Sequence, residues 1–488
     1  MDLKGLISHS TSDALLDLGL RLPSLVAALG SPLFCLVPTE FADNVKQYFT
    51  VFESYRIRGR VWYAVKANKA ESFLDVLPFY DAGADVATRE ELQAALGHGL
   101  RGDAIGVSGP DKSDHLLLTA CLQNCTIAVD SITELYRLKH LHFRANLKRP
   151  CNIFIRLSGF DFSVSSLTAD TIPTPDNSRF GIPITQWPDI LRIVSDAPFR
   201  AALQVAGISF HIDNYSLADR TVAIHAMLDC GIEALKQGHP FAWIDIGGGI
   251  PCQYVSPGSW SDFTREYVNQ SNAGHETAFR GRDLGIKMEL GKITNKYIYP
   301  HDTELFKGAF LSALLESTLA SSATVADRLK SHNIGLVIEP GRSLLDQAGF
   351  TVCQVKGVKS SSSGRQLLCV EMNISHMWDQ MIGSEFTVDP ILIPQSQPDH
   401  NTGSFKGHIV GNLCLENDII TWRQVSFSRI PKAGDLLVFP NTAGYQMDFI
   451  ESRMHRMQLP QRVSLFKRDG HWSWKLDNNF SGLDLIQT

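Results

Sequence analysis

The chain is expected to fold as an α/β protein, a (β/α)8 TIM barrel over about residues 36–345 followed by a C-terminal antiparallel β domain. Three observations lead there. From about Phe34 to Glu339, short apolar runs alternate with longer helix-like stretches. The runs are apolar on both faces, as in a parallel sheet covered by helices. After Arg342 the pattern changes to short alternating segments separated by turn signals. About eight strand-helix units suit a closed barrel, typically about 250 residues before insertions.

The strand-like runs are Phe34–Val37, Val61–Val65, Ala84–Ala87, Ala104–Val107, Ile127–Val129, Ile153–Leu157, Val205–Phe210, Trp243–Ile246 and Leu336–Ile338. Helix-like segments at about Trp260–Gln270 and Phe310–His332 flank a polar tract, so roughly 258–306 reads as an insertion. It is either a surface excursion or a lid or substrate-selecting wall near the active-site mouth. Later, Phe350–Val355, Gln366–Glu371, Gly407–Val410, Gly434–Phe439 and Val463–Phe466 look like strands, and Ser360–Gly364 like a turn.

At 488 residues the chain is long enough for two domains, and its 44% apolar and 20% charged content fits a globular protein. A formal charge of −6 gives no electrostatic case for nucleic acid, so a phosphate-bearing ligand needs a local site. Nine cysteines without CxxC spacing read as reduced thiols in the cytoplasm. No secretory signal is visible, and no apolar run approaches the roughly 20 residues of a membrane helix, so no membrane partner is expected.

The segment Val61-Trp62-Tyr63-Ala64-Val65-Lys66-Ala67-Asn68 reads as a buried strand delivering one amine to a pocket mouth. Burial would lower the lysine pKa, as imine chemistry with an aldehyde requires; the ordinary alternative is a lysine reaching for solvent. Asp245-Ile246-Gly247-Gly248-Gly249 follows a strand, where backbone N–H groups can approach a phosphate without Cβ interference, or form a plain turn. His211 ends Val205–Phe210 and Glu339 precedes Pro340-Gly341-Arg342. Taken alone, the first suits a core histidine and the second an ion pair with Arg342. Thr88 and Glu91 have capping-box spacing.

In order, Lys66, Ser209-Phe210-His211-Ile212, the glycine triplet, Ile338-Glu339-Pro340-Gly341-Arg342 and Gly411-Asn412-Leu413-Cys414 resemble the fold-type III pyridoxal-phosphate enzymes. The resemblance is to the diaminopimelate, ornithine and arginine decarboxylase family, over about Pro32 to Phe449. It implies pyridoxal 5'-phosphate as cofactor, an alanine racemase-like barrel, and residues 1–35 joining 346–488 in a β-sandwich or barrel-like domain. It further implies a Schiff base on Lys66, with Asp85 and Glu91 in its network and Arg156 beside the cofactor. Gly247, Gly248, Gly249, Tyr445 and the Gly341-Arg342 segment would meet the phosphate, His211 would stack on the ring, and Glu339 would keep the pyridine nitrogen protonated. Cys414, contributed across a homodimer interface, would reprotonate the quinonoid carbon after carbon dioxide leaves. No metal is called for.

The chain departs from the family in four places. His211-Ile212-Asp213-Asn214 stands where the family has His-x-Gly-Ser, leaving Asn214 to donate in place of the serine. Ala443-Gly444-Tyr445 inverts the usual Gly-Ala-Tyr. After Cys414 the substrate-meeting acid moves to Glu416, and Asp418 keeps the second. Ser375-His376-Met377-Trp378-Asp379-Gln380 lacks the arginine that clamps the distal carboxylate of diaminopimelate, a contact not replaced conservatively. The expectation is decarboxylation of another amino acid, basic or amide-bearing, met by Asp379, Glu416 or Asp418. A racemase and a non-catalytic regulatory relative are the alternatives.

Overall fold

Strands apolar on both faces need cover on both, and a closed sheet ringed by helices supplies it. The structure is a computed structural model. It describes residues 5–6, 8, 15, 17, 21–164, 178–212, 214–282, 284, 286, 288–289, 292–293, 299, 301–319, 323–377, 388–395, 403–447 and 449–485. By its contacts the chain divides into two compact units, residues 42–251 with 305–344, and residues 1–41 with 252–304 and 345–488.

The first unit is the barrel. Its strands, in spatial order, are Gly59–Ala64, Gly83–Val86, Ile105–Val107, Thr126–Val129, Cys151–Ser158, Leu203–Phe210, Trp243–Asp245 and Gly335–Ile338. All neighbours are parallel, and Gly335–Ile338 pairs with both Trp243–Asp245 and Gly59–Ala64, which closes the ring. Inside, the Trp62 ring stacks on Phe154 with centroids 5.9 Å apart, and Trp243 packs against the same cluster. Small residues face these rings: a Cβ on Gly106 would lie 2.5 Å from Trp62, and one on Gly335 2.4 Å from Trp243. Thr88, Ser131 and Ser216 then start the following helices by accepting the N–H three residues on, from Glu91, Glu134 and Asp219.

Two expectations change. The run at Phe34–Val37 is not a barrel strand: Leu33–Leu36 lies in the other sheet, antiparallel to Gly349–Ser360 and parallel to Gln461–Arg468. Its residues look like those of a barrel strand, and only long-range pairing distinguishes it. The stretch Phe310–His332 is two helices, Lys307–Glu316 and Val325–Ser331, the second capped by Thr324.

The second unit carries the curled sheet. Gly349–Ser360 pairs antiparallel with Gln366–Val370 and Leu436–Phe439. The sheet is mixed, because Gln366–Val370 also runs parallel to Phe405–Val410. Strands Ile391–Ile393, Val425–Phe427 and His471–Leu476 escaped the sequence reading. The stretch read as an insertion belongs largely to this unit by contact: its Phe263, Tyr267 and Phe279 form one buried cluster with Val410, Ile419 and Trp422. None of the nine cysteines is in a disulfide. Among the described residues, no helix is long and apolar enough to cross a membrane.

An ion pair lies inside the barrel unit. Lys112 Nζ is 3.0 Å from Glu134 Oε2, both side chains 1% exposed, and it donates to the carbonyls of Gly109 and Ala128 at 2.8 and 2.7 Å. Burial pushes the Lys112 pKa below its ordinary value while Glu134 pulls it back up. Removing one partner strands a buried charge. Glu134→Gln is expected to cost roughly 3–5 kcal/mol in urea unfolding.

Candidate active site

The strand Gly59–Ala64 ends in a tight turn, Val65–Ala67, that carries Lys66. Val65 and Ala67 point into the packing at 2% and 0% exposure, so the residue between them points out. Lys66 is exposed, and the expected burial of its amine is not found; only the strand beneath it is buried. Asn68 anchors the turn, its carbonyl accepting from Tyr63 Oη at 2.5 Å and its side chain from Ala70 N at 3.0 Å. The Ala64 N–H reaches the Pro340 carbonyl at 3.4 Å, tying the lysine's strand to the Glu339 segment.

Charges converge on that mouth. Lys66 interacts electrostatically with Glu339, Glu91 and His211. Asp85, buried at 3% exposure with one oxygen lacking a partner, acts on Glu91, Asp245 and Glu339. Glu91 accepts from Ala87 N at 2.7 Å while its own N–H is capped by Thr88, and burial raises its pKa. Glu339 is fixed through its N–H to Gly247 O at 2.9 Å, and burial followed by repulsion from Asp245 raises its pKa. Gly341 is buried and Arg342 half-buried, in a segment pinned by Asn44 to the Leu344 carbonyl and by Tyr48 to Ser343.

On the opposite side Arg156 pairs with Asp130 at 3.1 Å, both side chains nearly buried. Its guanidinium lies 4.4 Å from the centre of the Phe180 ring, and Phe180 meets His211 edge-on at 6.0 Å. Burial, then the cations Lys66, Arg156 and Arg220, push the His211 pKa down to about 3. A neutral histidine presents an uncharged ring to a ligand.

The glycine triplet is a cradle. A Cβ on Gly247 would sit 2.8 Å from the Phe210 carbonyl, on Gly248 2.8 Å from the Glu339 carbonyl, and on Gly249 2.1 Å from Arg220 Nη2. Gly247 and Gly249 also have φ of 63° and 75°, which glycine adopts freely. Arg220 escaped the sequence reading. It is fully buried and bonds Gly248 O at 3.2 Å and Asn214 Oδ1 at 3.2 Å. A cation in the first turn of a helix opposes the helix dipole, and that was the available signal. Asn214 is engaged in the same lattice, its amide donating to Asp219 at 2.8 Å.

Cys414, Glu416, Asp418 and Tyr445 lie in the second unit, and Asp379 lies outside the described residues, as does Asp213. Cys414 is exposed, and its backbone N–H donates to His455 Nε2 at 3.2 Å. Glu416 pairs with Arg280. Asp418 is 3% exposed and accepts from Ile374 N at 2.8 Å and Leu413 N at 2.6 Å, which fastens the Cys414 loop. Tyr445 is half-buried with φ of 61°, a left-handed conformation costly for a side chain of its size.

The donor set fits a phosphorylated pyridine aldehyde: a glycine cradle, an amine, a half-buried carboxyl and a neutral ring. Gly248→Ala is expected to displace the Glu339 carbonyl, cost about 1–3 kcal/mol and weaken pyridoxal phosphate binding roughly tenfold or more in equilibrium dialysis. The His211 ring is expected to show no titration between about pH 5 and 8 by NMR; a midpoint near its ordinary value of about 6.5 would contradict the burial described.

The family pattern for pyridoxal-dependent decarboxylase, pyridoxal binding domain, matches residues 41–295. Among relatives, "Uncharacterized protein y4yA" of Sinorhizobium fredii is 31% identical, covering 95% of this chain and 93% of its own length. The diaminopimelate decarboxylase of Methanothermobacter thermautotrophicus is 23% identical over 90% and 87% of the two chains. The crystal structure of M. jannaschii diaminopimelate decarboxylase in co-complex with L-lysine superposes with a TM-score of 0.70 at 16% identity, covering 95% of this chain and 93% of that one, and bears on the fold alone. The chain belongs to the pyridoxal-dependent decarboxylases, and its cofactor is pyridoxal phosphate.

Proposed function

We propose that the protein removes the α-carboxyl group of a basic or amide-bearing amino acid other than diaminopimelate. The observation that carries the reading is the convergence of Lys66, Glu339 and neutral His211 beside a loop that has no room for a Cβ. Lys66 would hold the cofactor's aldehyde carbon and the backbone of Gly247 to Gly249 its phosphate, with Tyr445 and the Gly341-Arg342 segment adding to that hold. Glu339 would face the ring nitrogen, His211 would lie against the ring, and Arg156 and Asp85 would balance charge around it. Pyridoxal phosphate supplies the sink for the electrons left behind as carbon dioxide departs. Cys414 would deliver the proton that replaces the carboxyl group on the α-carbon.

The substrate assignment rests on an absent cation. From Ser375 to Thr387 the one basic residue is His376. It is 5% exposed, and burial holds its pKa down to about 4, so it is neutral at physiological pH. Nothing there can clamp a second carboxylate. Asp379 and Glu416 suit a distal cation or amide, and Asp418 supports them by fastening the loop. In line with the family, the working form is a cytoplasmic homodimer in which Cys414 comes from a second copy.

Carbon dioxide release from a panel of L- and D-amino acids is expected for one basic or amide-bearing member and not for diaminopimelate. Enantiomer exchange without gas would replace this reading with a racemase. Lys66→Ala is expected to abolish the cofactor's imine absorption together with turnover; normal turnover in that variant would end the assignment. Cys414→Ala is expected to bind cofactor normally while slowing product formation about 10²–10⁴-fold, the usual range for a positioned proton donor.

A further inference from the structure

Asp245 and Glu339 are brought together by strand pairing. Asp245 stands opposite Val337 in the parallel register, two residues before Glu339. The two carboxyls lie within hydrogen-bonding reach of one another, Asp245 buried at 1% exposure and Glu339 half-buried. Asp245 Oδ1 takes the Gly247 N–H at 2.9 Å, whereas Oδ2 is buried with no donor beside it. Ionised carboxylates only accept, so two of them in contact are satisfied only when one carries a proton. Two carboxyls at one site that cannot both ionise titrate as a pair.

We propose that Asp245 and Glu339 hold one proton between them in the cofactor-free protein, and that Asp245 is the positioning residue that keeps it at Glu339. Asp245 also grips Gly247, so one side chain links the glycine loop to the carboxyl that would face the ring nitrogen. The proton is then present before the cofactor arrives. On binding it leaves the carboxyl pair for the ring nitrogen, with charge conserved. This second step rests on Glu339 meeting that nitrogen, as proposed above; the shared proton does not.

The groups around the pair are Asp85 from the second strand, Lys66 from the first, Arg156 from the fifth and His211 from the sixth. Asp85 repels the ionised forms, Lys66 and Arg156 favour them, and His211, held down to about 3, stays neutral throughout the relevant range. Burial comes first among the causes and raises Asp245 to about 7 and Glu339 well above its ordinary value. Folded-state pKa values above the unfolded ones mean stability that is complete below the unfolded carboxyl range, about pH 4, and lost as pH rises through the folded value.

The test is urea unfolding of the full-length, cofactor-free chain between about pH 5 and 8. Over the wild type's pH dependence, the pair should raise the unfolding equilibrium constant by up to about tenfold per pH unit. In Asp245→Asn the amide still accepts from Gly247 and donates to Glu339, so that increment should vanish; Glu339→Gln should remove it as well. Parallel pH profiles for wild type and Asp245→Asn would overturn the proposal, because a purely structural hydrogen bond shifts stability equally at every pH. Calorimetry of pyridoxal phosphate binding in buffers of different ionisation enthalpy separates the second step. Greater proton uptake from solution by Asp245→Asn, by up to about one proton, supports the hand-off. Equal uptake with the stability increment intact would leave the shared proton standing and remove Glu339 from the ring nitrogen.

Discussion

The pairing of Gly335–Ile338 with Gly59–Ala64 on one side and Trp243–Asp245 on the other is the contact that makes a site of separate motifs. Before it forms, the lysine turn, the glycine loop and Glu339 are far apart in sequence and share nothing. Afterwards Ala64 bonds the Pro340 carbonyl, Glu339 bonds the Gly247 carbonyl, and Asp245 meets Glu339. The cost is the closure entropy of very long loops, which burial of the strands and the aromatic filling must offset. Trp62, Phe154 and Trp243 do so only because Gly106 and Gly335 leave them space.

Burial arranges charge by the same logic. The barrel keeps Asp245 and Glu339 close together in surroundings that disfavour ionisation, with Asp85 acting on both, and sets Arg156, Arg220 and Lys66 around them. Each cation is fastened or directed by something specific. Arg156 rests between Asp130 and Phe180, Arg220 beneath the loop carbonyls, and Lys66 on a turn anchored through Asn68. The field at the mouth is thus fixed by packed side chains rather than by solvent.

Much of this was legible along the chain where local pattern suffices. Strands apolar on both faces announce a covered parallel sheet, whereas the lysine past such a strand and the three glycines after an aspartate point to a site only as an ordered set with the other motifs. What stayed hidden depends on long-range contact. Leu33–Leu36 carries a barrel-like pattern, and before its pairing elsewhere is seen only the resemblance, which joins residues 1–35 to 346–488, sets it apart. Asp418 reads as a substrate acid, and its burial against two backbone N–H groups appears only once Ile374 is beside it. Asp245 sat within a recognised motif without a role, because its partner lies on a strand formed much later in the chain.

The second unit is assembled from three separated stretches, residues 1–41, 252–304 and 345–488. Its cluster joins Cys252, Tyr254, Phe263 and Tyr267 to Val410, Ile419 and Trp422, across the barrel's last strand in sequence. No single cut therefore separates the units. A fragment ending near residue 344 would keep the aromatic residues of the middle stretch and lose the surface that covers them, exposing an apolar patch of the kind that drives aggregation. During synthesis the middle stretch emerges well before its partners, so a nascent chain carries that uncovered face until the C-terminal strands arrive.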